Sequence, residues 1–188
     1  MPATVAQVAV SGLLLGGIYA LISLGLTLIF GVIRIINFAH GEFLMLAMYL
    51  TYWLAKGAGL DPYVSVFLVA VVLFLYGVLI QRTIIQPLLA APANMQIFVT
   101  VGLSILMQNL ALFFFQANYR TVLTSYSQST LSFLGLTVSV PRLVACLAAM
   151  VIAGILLVFL DRTYLGKAIR AVAQDRDAAS LMGIRSEE

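Results

Sequence analysis

Long runs of apolar residues with almost no charge are the feature that most limits how this chain can fold. A helix needs about 20 mostly apolar residues to cross the hydrocarbon core of a bilayer. Five runs reach that length, at about residues 5–33, 36–55, 62–80, 93–116 and 143–160. They lack the short alternating segments of a membrane barrel. The sequence therefore predicts an all-α integral membrane protein with about five transmembrane helices, divided into a membrane region over 1–160 and a polar segment over 161–188.

Composition supports the same class and excludes others. The chain is 63% hydrophobic and 9% charged, with a mean hydropathy of +1.10, whereas soluble domains carry about 25% charged residues. The single cysteine, Cys146, excludes an intrachain disulfide and a metal site built on cysteines. The net charge of +3 is small and the basic residues lie near the ends of the runs, which indicates topology signals rather than a nucleic-acid surface. We expect no metal, no cofactor and no nucleic-acid partner.

Basic residues near the predicted helix ends indicate the orientation, because short cytoplasmic loops carry an excess of Lys and Arg. With the C-terminal segment in the cytoplasm, seven basic residues lie inside: Arg34, Arg82, Arg162, Lys167, Arg170, Arg176 and Arg185. Three then lie outside: Lys56, Arg120 and Arg142. We therefore expect a multi-pass protein with its N-terminus outside and its C-terminal segment in the cytoplasm. The connection over 117–140, rich in Ser, Thr and Tyr, would lie outside as a surface loop or a small cap.

Polar residues recur at every fourth position of the fourth helix, namely Gln96, Thr100, Ser104 and Gln108. Four-residue spacing keeps side chains near one face of a helix. A polar face turns away from lipid, toward other helices or a wet cavity. Two interpretations stay open: hydrogen bonds that hold helices together, or the lining of a path for a polar substrate.

The first helix shows a row of small residues, Gly12, Gly16 and Ala20. Such rows allow helix backbones to approach closely, which matters in lipid because hydrophobic burial drives helix pairing only weakly there. We expect these three residues to pack against another helix.

A polar motif, Asn-Phe-Ala-His-Gly-Glu, stands near the start of the second helix, toward its predicted cytoplasmic end. On a regular helix Asn37, His40 and Gly41 share a face, whereas Glu42 points elsewhere than His40. A charged carboxylate inside a membrane costs about 2.5–3.5 kcal/mol on insertion scales. Glu42 is therefore expected to be paired, neutral or close to the interface, and Arg34 is a candidate counter-ion. Asn37, His40 and Glu42 are therefore candidates for a pathway or gate, as a proton relay or as a structural joint.

The C-terminal segment changes character and carries ten of the seventeen charged residues of the chain. Apolar residues at helical spacing predict an amphipathic helix, with the stripe Tyr164, Leu165, Ala168, Ile169 and Val172. A second short helix is expected over 177–182. Asp175 or Asp177 would cap its N-terminus, and Gly183 would follow its end.

Three stretches of sequence resemble one family of membrane proteins. Residues 177–183, Asp-Ala-Ala-Ser-Leu-Met-Gly, resemble the EAA-x-x-x-G coupling signature of bacterial ABC importer permeases, with Asp177 where the signature has Glu. The stretches GGIYALISLGLTLIFGVIRIINFAHGEF and GKAIRAVAQDRDAASLMGI resemble branched-chain amino-acid ABC permeases of the LivH type. Urea permeases are related. The resemblance runs in order along essentially the whole chain and includes VGLSILMQN of the fourth helix.

The resemblance implies the membrane subunit of an ATP-driven importer for branched-chain or related amino acids in the bacterial inner membrane. It implies three partners: cytoplasmic ABC ATPase subunits, a second permease subunit similar to LivM, and an external or periplasmic substrate-binding protein. The ATPase-coupling residues would be Arg170, Asp177, Ala178, Ala179, Leu181, Met182 and Gly183. The chain carries no GxxxxGK[ST] phosphate loop, so we expect a transporter subunit that is not itself an enzyme.

Family members continue past the coupling segment with further membrane helices, so the resemblance leads us to expect a truncated permease. The alternatives are a proton- or ion-coupled secondary transporter using Glu42 and His40, a permease for urea or short amides, and a membrane scaffold that transports nothing.

Overall fold

A computed structural model describes residues 2–33, 35–89, 91–133 and 136–184. Its principal helices are α1 Pro2–Ile33, α2 His40–Ala58, α3 Pro62–Ile80, α4 Ala93–Phe115, α5 Val140–Arg162, α6 Tyr164–Gln174 and α7 Arg176–Leu181. Between α4 and α5, strands β1 Thr130–Phe133 and β2 Leu136–Ser139 form an antiparallel hairpin. The prediction of an all-α membrane protein is confirmed, with the hairpin as a small addition.

Four of the described helices are long and apolar enough to cross a membrane: Thr4–Val32, Pro62–Leu88, Ala93–Phe115 and Val140–Arg162. They match the first, third, fourth and fifth predicted runs. The second run differs, because α2 has 19 residues and begins at His40 rather than near residue 36. His40, Glu42 and Lys56 lower its mean hydropathy, so α2 is not among these four. About five transmembrane helices were predicted; four helices qualify, and α2 is a fifth, more polar helix of roughly 28 Å.

The chain divides into two compact units, Met1–Arg34 with Ser125–Glu188, and Ile35–Thr124. In the first unit α1 packs against α5. Their closest approach is at Gly17, where an added Cβ would lie 2.6 Å from Sγ of the buried Cys146. A glycine is therefore required at this position for the two helices to pack as they do.

The polar C-terminal helices also belong to the first unit, where α6 packs against α5 and α1. Thr163 forms the corner: its hydroxyl donates to the Phe159 carbonyl at 2.7 Å and accepts from the Gly166 N–H at 3.0 Å. A Cβ on Gly166 would collide with the Phe159 carbonyl and with Cα of Leu160. The start of α6 is thus pressed directly onto the backbone of α5.

The hairpin is attached to the first turns of α1 by one side chain. The Thr137 N–H donates to Oε1 of Gln7 at 2.9 Å, and Nε2 of Gln7 donates back to the Thr137 carbonyl. In the register of the hairpin Thr137 pairs with Ser132. The side-chain amide of Gln7 thus pairs with the backbone of β2 as a neighbouring strand would.

The second unit contains α2, α3 and α4. Gly59 ends α2 in the left-handed conformation, with φ 64°, and Asp61 caps α3 by accepting the Tyr63 N–H at 2.8 Å. Pro62 follows as the first residue of α3, where its missing N–H is tolerated. These signals turn the chain sharply, so α2 and α3 form a helical hairpin in which the Phe43 and Tyr76 rings are 5.5 Å apart.

The helix that begins as α3 does not end at Ile80. It continues through a π-helical turn, Gln81–Ile85, and a last α turn, Gln86–Leu88. Within the wide turn the Gln86 N–H donates to the Gln81 carbonyl, five residues back. Pro87 has no N–H to donate to the carbonyl four residues earlier, and in a regular α-helix its ring would collide with that carbonyl. Both effects favour the wider hydrogen-bond spacing of a π-helical turn.

Candidate functional site

The first half of the polar motif, residues 37–39, forms a turn, and its second half, residues 40–42, begins α2. Oδ1 of Asn37 accepts the Ala39 N–H at 3.0 Å, and the Asn37 carbonyl accepts the His40 N–H at 3.2 Å. Ile35 and Ala39 are buried on either side of Asn37. The expectation that Asn37 shares a helical face with His40 and Gly41 is therefore wrong, because Asn37 uses its side chain to hold the turn.

Glu42, in the first turn of α2, contacts two of the predicted polar residues of α4. Its Oε1 accepts the Ser104 hydroxyl at 2.9 Å and the Gln108 amide at 2.7 Å, and these two donors are 3.3 Å apart. We call Glu42, Ser104 and Gln108 the carboxylate site. Glu42 and Ser104 are half-buried and Gln108 is exposed within the chain. Arg34, the expected counter-ion, lies outside the described residues.

The other two residues of the polar stripe on α4 bind backbone. Nε2 of Gln96 donates to the carbonyls of Leu88 and Ala91, at 3.1 and 3.0 Å. Thr100 is fully buried, and its hydroxyl lies 3.1 Å from the Ile36 carbonyl. The stripe thus divides into an anchoring half, Gln96 and Thr100, which fixes the segments before α4 and α2, and the half that holds the Glu42 carboxylate.

These contacts show that α2 and α4 run parallel. Thr100 meets Ile36, Ser104 meets Glu42, and Phe115 stacks on Tyr49 with ring centroids 4.3 Å apart. Ser104 is at the middle of the 23-residue helix α4, which is one of the four candidate spans. The Glu42 carboxylate is therefore held near mid-span, deeper than the charge pattern of the sequence suggested.

Hydrogen-bond donors and a helix end both stabilise a negative charge on Glu42 near mid-span. Both donors to the carboxylate are neutral groups, a hydroxyl and an amide. Glu42 also lies in the first turn of α2, where the partial positive charge of the helix N-terminus favours an anion. Chemically, a carboxylate held in this way can bind a cationic group. Among the described residues no group of three His, Cys, Asp or Glu is placed to hold a metal ion.

The predicted coupling residues fall on α7 and its end. Oδ1 of Asp175 accepts the Ala178 N–H at 3.0 Å, so Asp175 is the N-cap that the sequence suggested. At the other end Gly183 has φ 84° and the Ile184 N–H donates to the Ala179 carbonyl at 3.1 Å, which terminates the helix as expected. The side chain of Asp177 is outside the part of the chain that the structure describes.

The coupling residues have unequal exposure. Leu181 and Met182 are 88% and 84% exposed, whereas Ala179 is 4% exposed. On α6, Nη1 of Arg170 pairs with Oδ1 of Asp161, the penultimate residue of α5, at 2.6 Å. The exposed apolar side chains on and after α7 are therefore Ala178, Leu181 and Met182. Ala179 packs inside the chain, and Arg170 joins α6 to α5.

The small-residue row of α1 is placed differently from the predicted contact. Gly12, Gly16 and Ala20 are exposed within the chain, and a Cβ on Gly12 or Gly16 would meet nothing within 4 Å. The close approach to α5 uses Gly17 instead. The sequence analysis did not predict the close contact at Gly166. Its position three residues after Thr163, a typical N-cap residue, does place it in the first turn of α6.

Comparison with known proteins gives matches over nearly the whole chain. The family model described as "Branched-chain amino acid transport system / permease component" matches residues 8–188. The high-affinity branched-chain amino acid transport system permease protein BraD of Pseudomonas aeruginosa is 30% identical over 194 residues, which cover 96% of this chain and 62% of BraD. The high-affinity branched-chain amino acid transport system permease protein LivH of Escherichia coli K12 is 28% identical over 202 residues, which cover 94% of this chain and 61% of LivH.

LivH of Salmonella typhimurium is 26% identical over 202 residues, with the same coverage of 94% and 61%. This chain therefore spans about three fifths of the length of these curated relatives. No solved structure matches the chain significantly. None of the matched relatives is described as a proton- or ion-coupled carrier, so that alternative is not favoured.

Proposed function

Because the chain belongs to the family of branched-chain amino acid transport system permease components, we propose that it is a membrane-spanning permease subunit of an ATP-driven importer for branched-chain amino acids. The observation that carries the proposal is the match over residues 8–188, together with the names of BraD and LivH as branched-chain amino acid transport permease proteins. Four apolar helices long enough to span a membrane support it. The proposed location is the bacterial inner membrane, with the N-terminus outside and the C-terminal segment in the cytoplasm.

The proposed partners follow from the division of labour in such an importer. Cytoplasmic ABC ATPase subunits supply the energy, since the sequence has no phosphate loop of its own. A second permease subunit similar to LivM completes the pathway, and an external binding protein delivers the amino acid. The subunit itself is not an enzyme in this scheme.

The carboxylate site is the proposed part of the pathway or gate. Glu42, Ser104 and Gln108 form a hydrogen-bonded group near mid-span, where an ionisable residue is costly and is typically functional. His40 is the first residue of α2, two residues before Glu42, and its proposed role is in the same gate. Gln96, Thr100 and Asn37 have backbone partners, so their proposed role is to hold the start of α2 in place for Glu42.

The tail is the proposed coupling element. Exposed Leu181 and Met182 give a small apolar surface at the end of α7, suited to a groove on an ATPase subunit. The Arg170–Asp161 ion pair and the tight contact at Gly166 join α6 to α5. Movement of a bound ATPase would therefore be passed to α5, and coupling requires that its contacts differ between the two transport states.

Co-purification of ABC ATPase subunits with the tagged chain tests the coupling element. Leu181→Arg and Met182→Arg should each abolish the association, because they place a charge on the docking surface without disturbing packing within the chain. Leu165→Arg on α6 is the matched control, since Leu165 is also an exposed leucine. Ala179 and Gly183 are poorer targets, because Ala179 is buried and Gly183 has a positive φ. Undiminished association in both α7 variants would contradict the docking assignment.

Uptake of labelled leucine tests the function as a whole, with the chain expressed together with the ATPase, second permease and binding-protein subunits. Uptake should require ATP and persist when the proton gradient is collapsed, and Glu42→Gln should lower it while ATPase association is retained. Uptake that stops with the proton gradient while ATP remains would support a secondary carrier instead. Uptake of urea but not of leucine would correct the substrate.

A further inference from the structure

Aromatic and basic side chains meet where α2 and α4 end, in a group that the proposed transport function does not use. The guanidinium carbon of Arg120 lies 5.3 Å from the ring centroid of Tyr52 and 5.3 Å from that of Trp53. Nζ of Lys56 lies 5.7 Å from the same Tyr52 ring. We call Tyr52, Trp53, Lys56 and Arg120 the aromatic–basic group; all four lie in the second unit.

Arg120 is oriented by more than the two rings. Its Nη2 donates to the carbonyl of Phe115, the last residue of α4, at 2.6 Å, where the partial negative charge of a helix C-terminus favours a cation. Gln116 has φ 60°, which turns the chain sharply after α4. A guanidinium stacked on aromatic faces keeps its charge and part of its hydrogen-bonding capacity. Arg120 is thus held in place as a cation and not extended freely into solvent.

The aromatic–basic group lies at the depth of lipid headgroups. The candidate span Ala93–Phe115 ends at the residue to which Arg120 is bonded, so the group stands where the hydrocarbon core gives way to the polar interface. Trp and Tyr are enriched at that level of a membrane, and Lys and Arg there interact with lipid phosphates. Trp53 is 44% exposed and Lys56 is exposed, so a lipid has access to both.

Charge at this end of the unit favours an anion. Residues 35–124 contain two acidic side chains, Glu42 and Asp61. Glu42 is bonded to Ser104 at mid-span. Asp61 stands at the same end as Lys56, as the cap of α3 that accepts the Tyr63 N–H, so the two cations exceed the acidic residues there by one. Lys56 and Arg120 bring two positive charges to the same Tyr52 ring, and an anion between them would relieve their mutual repulsion.

We propose that the aromatic–basic group binds the phosphate of an anionic membrane lipid. Lys56 and the Arg120 guanidinium bind the phosphate oxygens, while the rings of Trp53 and Tyr52 contact the glycerol and the first methylene groups. A bound lipid would hold the ends of α2 and α4 together at the interface, independently of whether the chain transports leucine.

Trp53 is the only tryptophan of the chain, so its fluorescence reports on this group directly. The full chain is reconstituted in vesicles of phosphatidylcholine containing increasing fractions of brominated phosphatidylglycerol, or of brominated phosphatidylcholine as the zwitterionic comparison. Bromine quenches Trp53 when the lipid is adjacent. We expect half-maximal quenching at an about 25-fold lower fraction of phosphatidylglycerol, with each of the two cations contributing about fivefold to the preference, and a smaller preference at high salt.

Lys56→Gln and Arg120→Gln should each reduce this preference about fivefold, and Arg120→Lys should retain most of it. Arg142→Gln is the matched control, because Arg142 is an exposed cation in the first turn of α5, at the end of another candidate span. Retention of helical circular dichroism excludes unfolding; if Arg120→Gln unfolds, Lys56→Gln decides the question.

Three results would overturn the lipid site. The first is equal quenching by the two brominated lipids in the unaltered chain. The second is an equal loss of preference in Arg142→Gln and Lys56→Gln, which would indicate a diffuse surface charge effect. The third combines two observations: inorganic phosphate changes Trp53 fluorescence in vesicles of phosphatidylcholine alone, and added phosphate removes the preference for phosphatidylglycerol in the mixed vesicles. The group would then take free phosphate.

Discussion

Removing the Ser104 hydroxyl tests the carboxylate site most directly. Ser104→Ala deletes one of two hydrogen bonds to Oε1 of Glu42, at 2.9 Å. Hydrogen bonds to charged groups contribute about 1.5–3 kcal/mol in soluble proteins, whereas interhelical hydrogen bonds measured in a membrane protein average about 0.6 and reach about 1.7 kcal/mol. Because the acceptor is a carboxylate and the contact is partly buried, we expect Ser104→Ala to lower the free energy of unfolding by about 1–1.5 kcal/mol.

A double-mutant cycle separates this contact from other effects of the substitution. Glu42→Met removes the acceptor at similar volume, so in that background Ser104→Ala should cost only the weaker hydrogen bond, 3.3 Å long, that Ser104 accepts from Gln108. The coupling energy between Glu42 and Ser104 should then be about 1 kcal/mol. Gln108 is exposed within the chain, and ordering its long side chain costs more rotamer freedom than ordering Ser104, which offsets part of its hydrogen bond at 2.7 Å. The coupling of Gln108→Met to Glu42→Met should therefore be smaller, at about 0.5 kcal/mol.

Unfolding of the chain in mixed micelles with increasing dodecyl sulfate, followed by Trp53 fluorescence, measures these energies within the second unit. Ser65→Ala is the matched control, because the Ser65 hydroxyl donates to the Pro62 carbonyl at 2.8 Å. This bond lies in the first turn of α3 and does not involve Glu42. Ser65→Ala should show no coupling to Glu42→Met. A Glu42–Ser104 coupling no larger than that of the control, or a larger one for Gln108 than for Ser104, would refute the geometry of the site.

Three further substitutions test packing and helix ends. Gly17→Ala should lower the free energy of unfolding of the first unit by about 1–3 kcal/mol, because the added Cβ would press on Cys146. Gly16→Ala is the control and should have little effect, since a Cβ there meets nothing within 4 Å. Equal losses of stability for the two variants in chemical denaturation would contradict this packing. Gly166→Ala should loosen α6 from α5, seen as faster amide hydrogen exchange along α6, and unchanged exchange would contradict the close contact. Asp175→Ala should destabilise α7 by about 1 kcal/mol and Asp175→Asn should not, as measured by amide exchange of the Ala178 N–H and its neighbours.

The positions of the helices were largely predictable, and the start of α2 shows why some ends were not. Long apolar runs determine where helices form in a membrane, and four of the predicted runs match observed spans. The predicted second run began at about Ile36 and included Ala39, whose apolar character extends the hydropathy signal into what is a turn. Asn37 was the signal to the contrary, since Asn side chains bond to backbone two residues on and so favour turns.

Contacts between distant parts of the sequence were less predictable. The four-residue spacing on α4 correctly placed its polar residues near one face, but their partners in the Ile36–Glu42 segment lie more than 60 residues away. Helix packing showed the same limit, because a small-residue row does not reveal which glycine faces the neighbour: Gly17 approaches Cys146, and Gly16 does not. The proposed roles of these residues in transport and coupling stay predictions for the experiments above.

The reciprocal pairing of Gln7 with Thr137 has a consequence for how other proteins can approach the hairpin. The open edge of a strand invites strands of other chains to add to the sheet through main-chain hydrogen bonds. At Thr137 both outward main-chain groups are already taken by the Gln7 amide. A protein that docks on this loop must therefore contact its side chains, because it cannot add a strand to the hairpin through the main chain of Thr137. For the same reason an unfolded neighbouring chain cannot begin β-aggregation by pairing with Thr137.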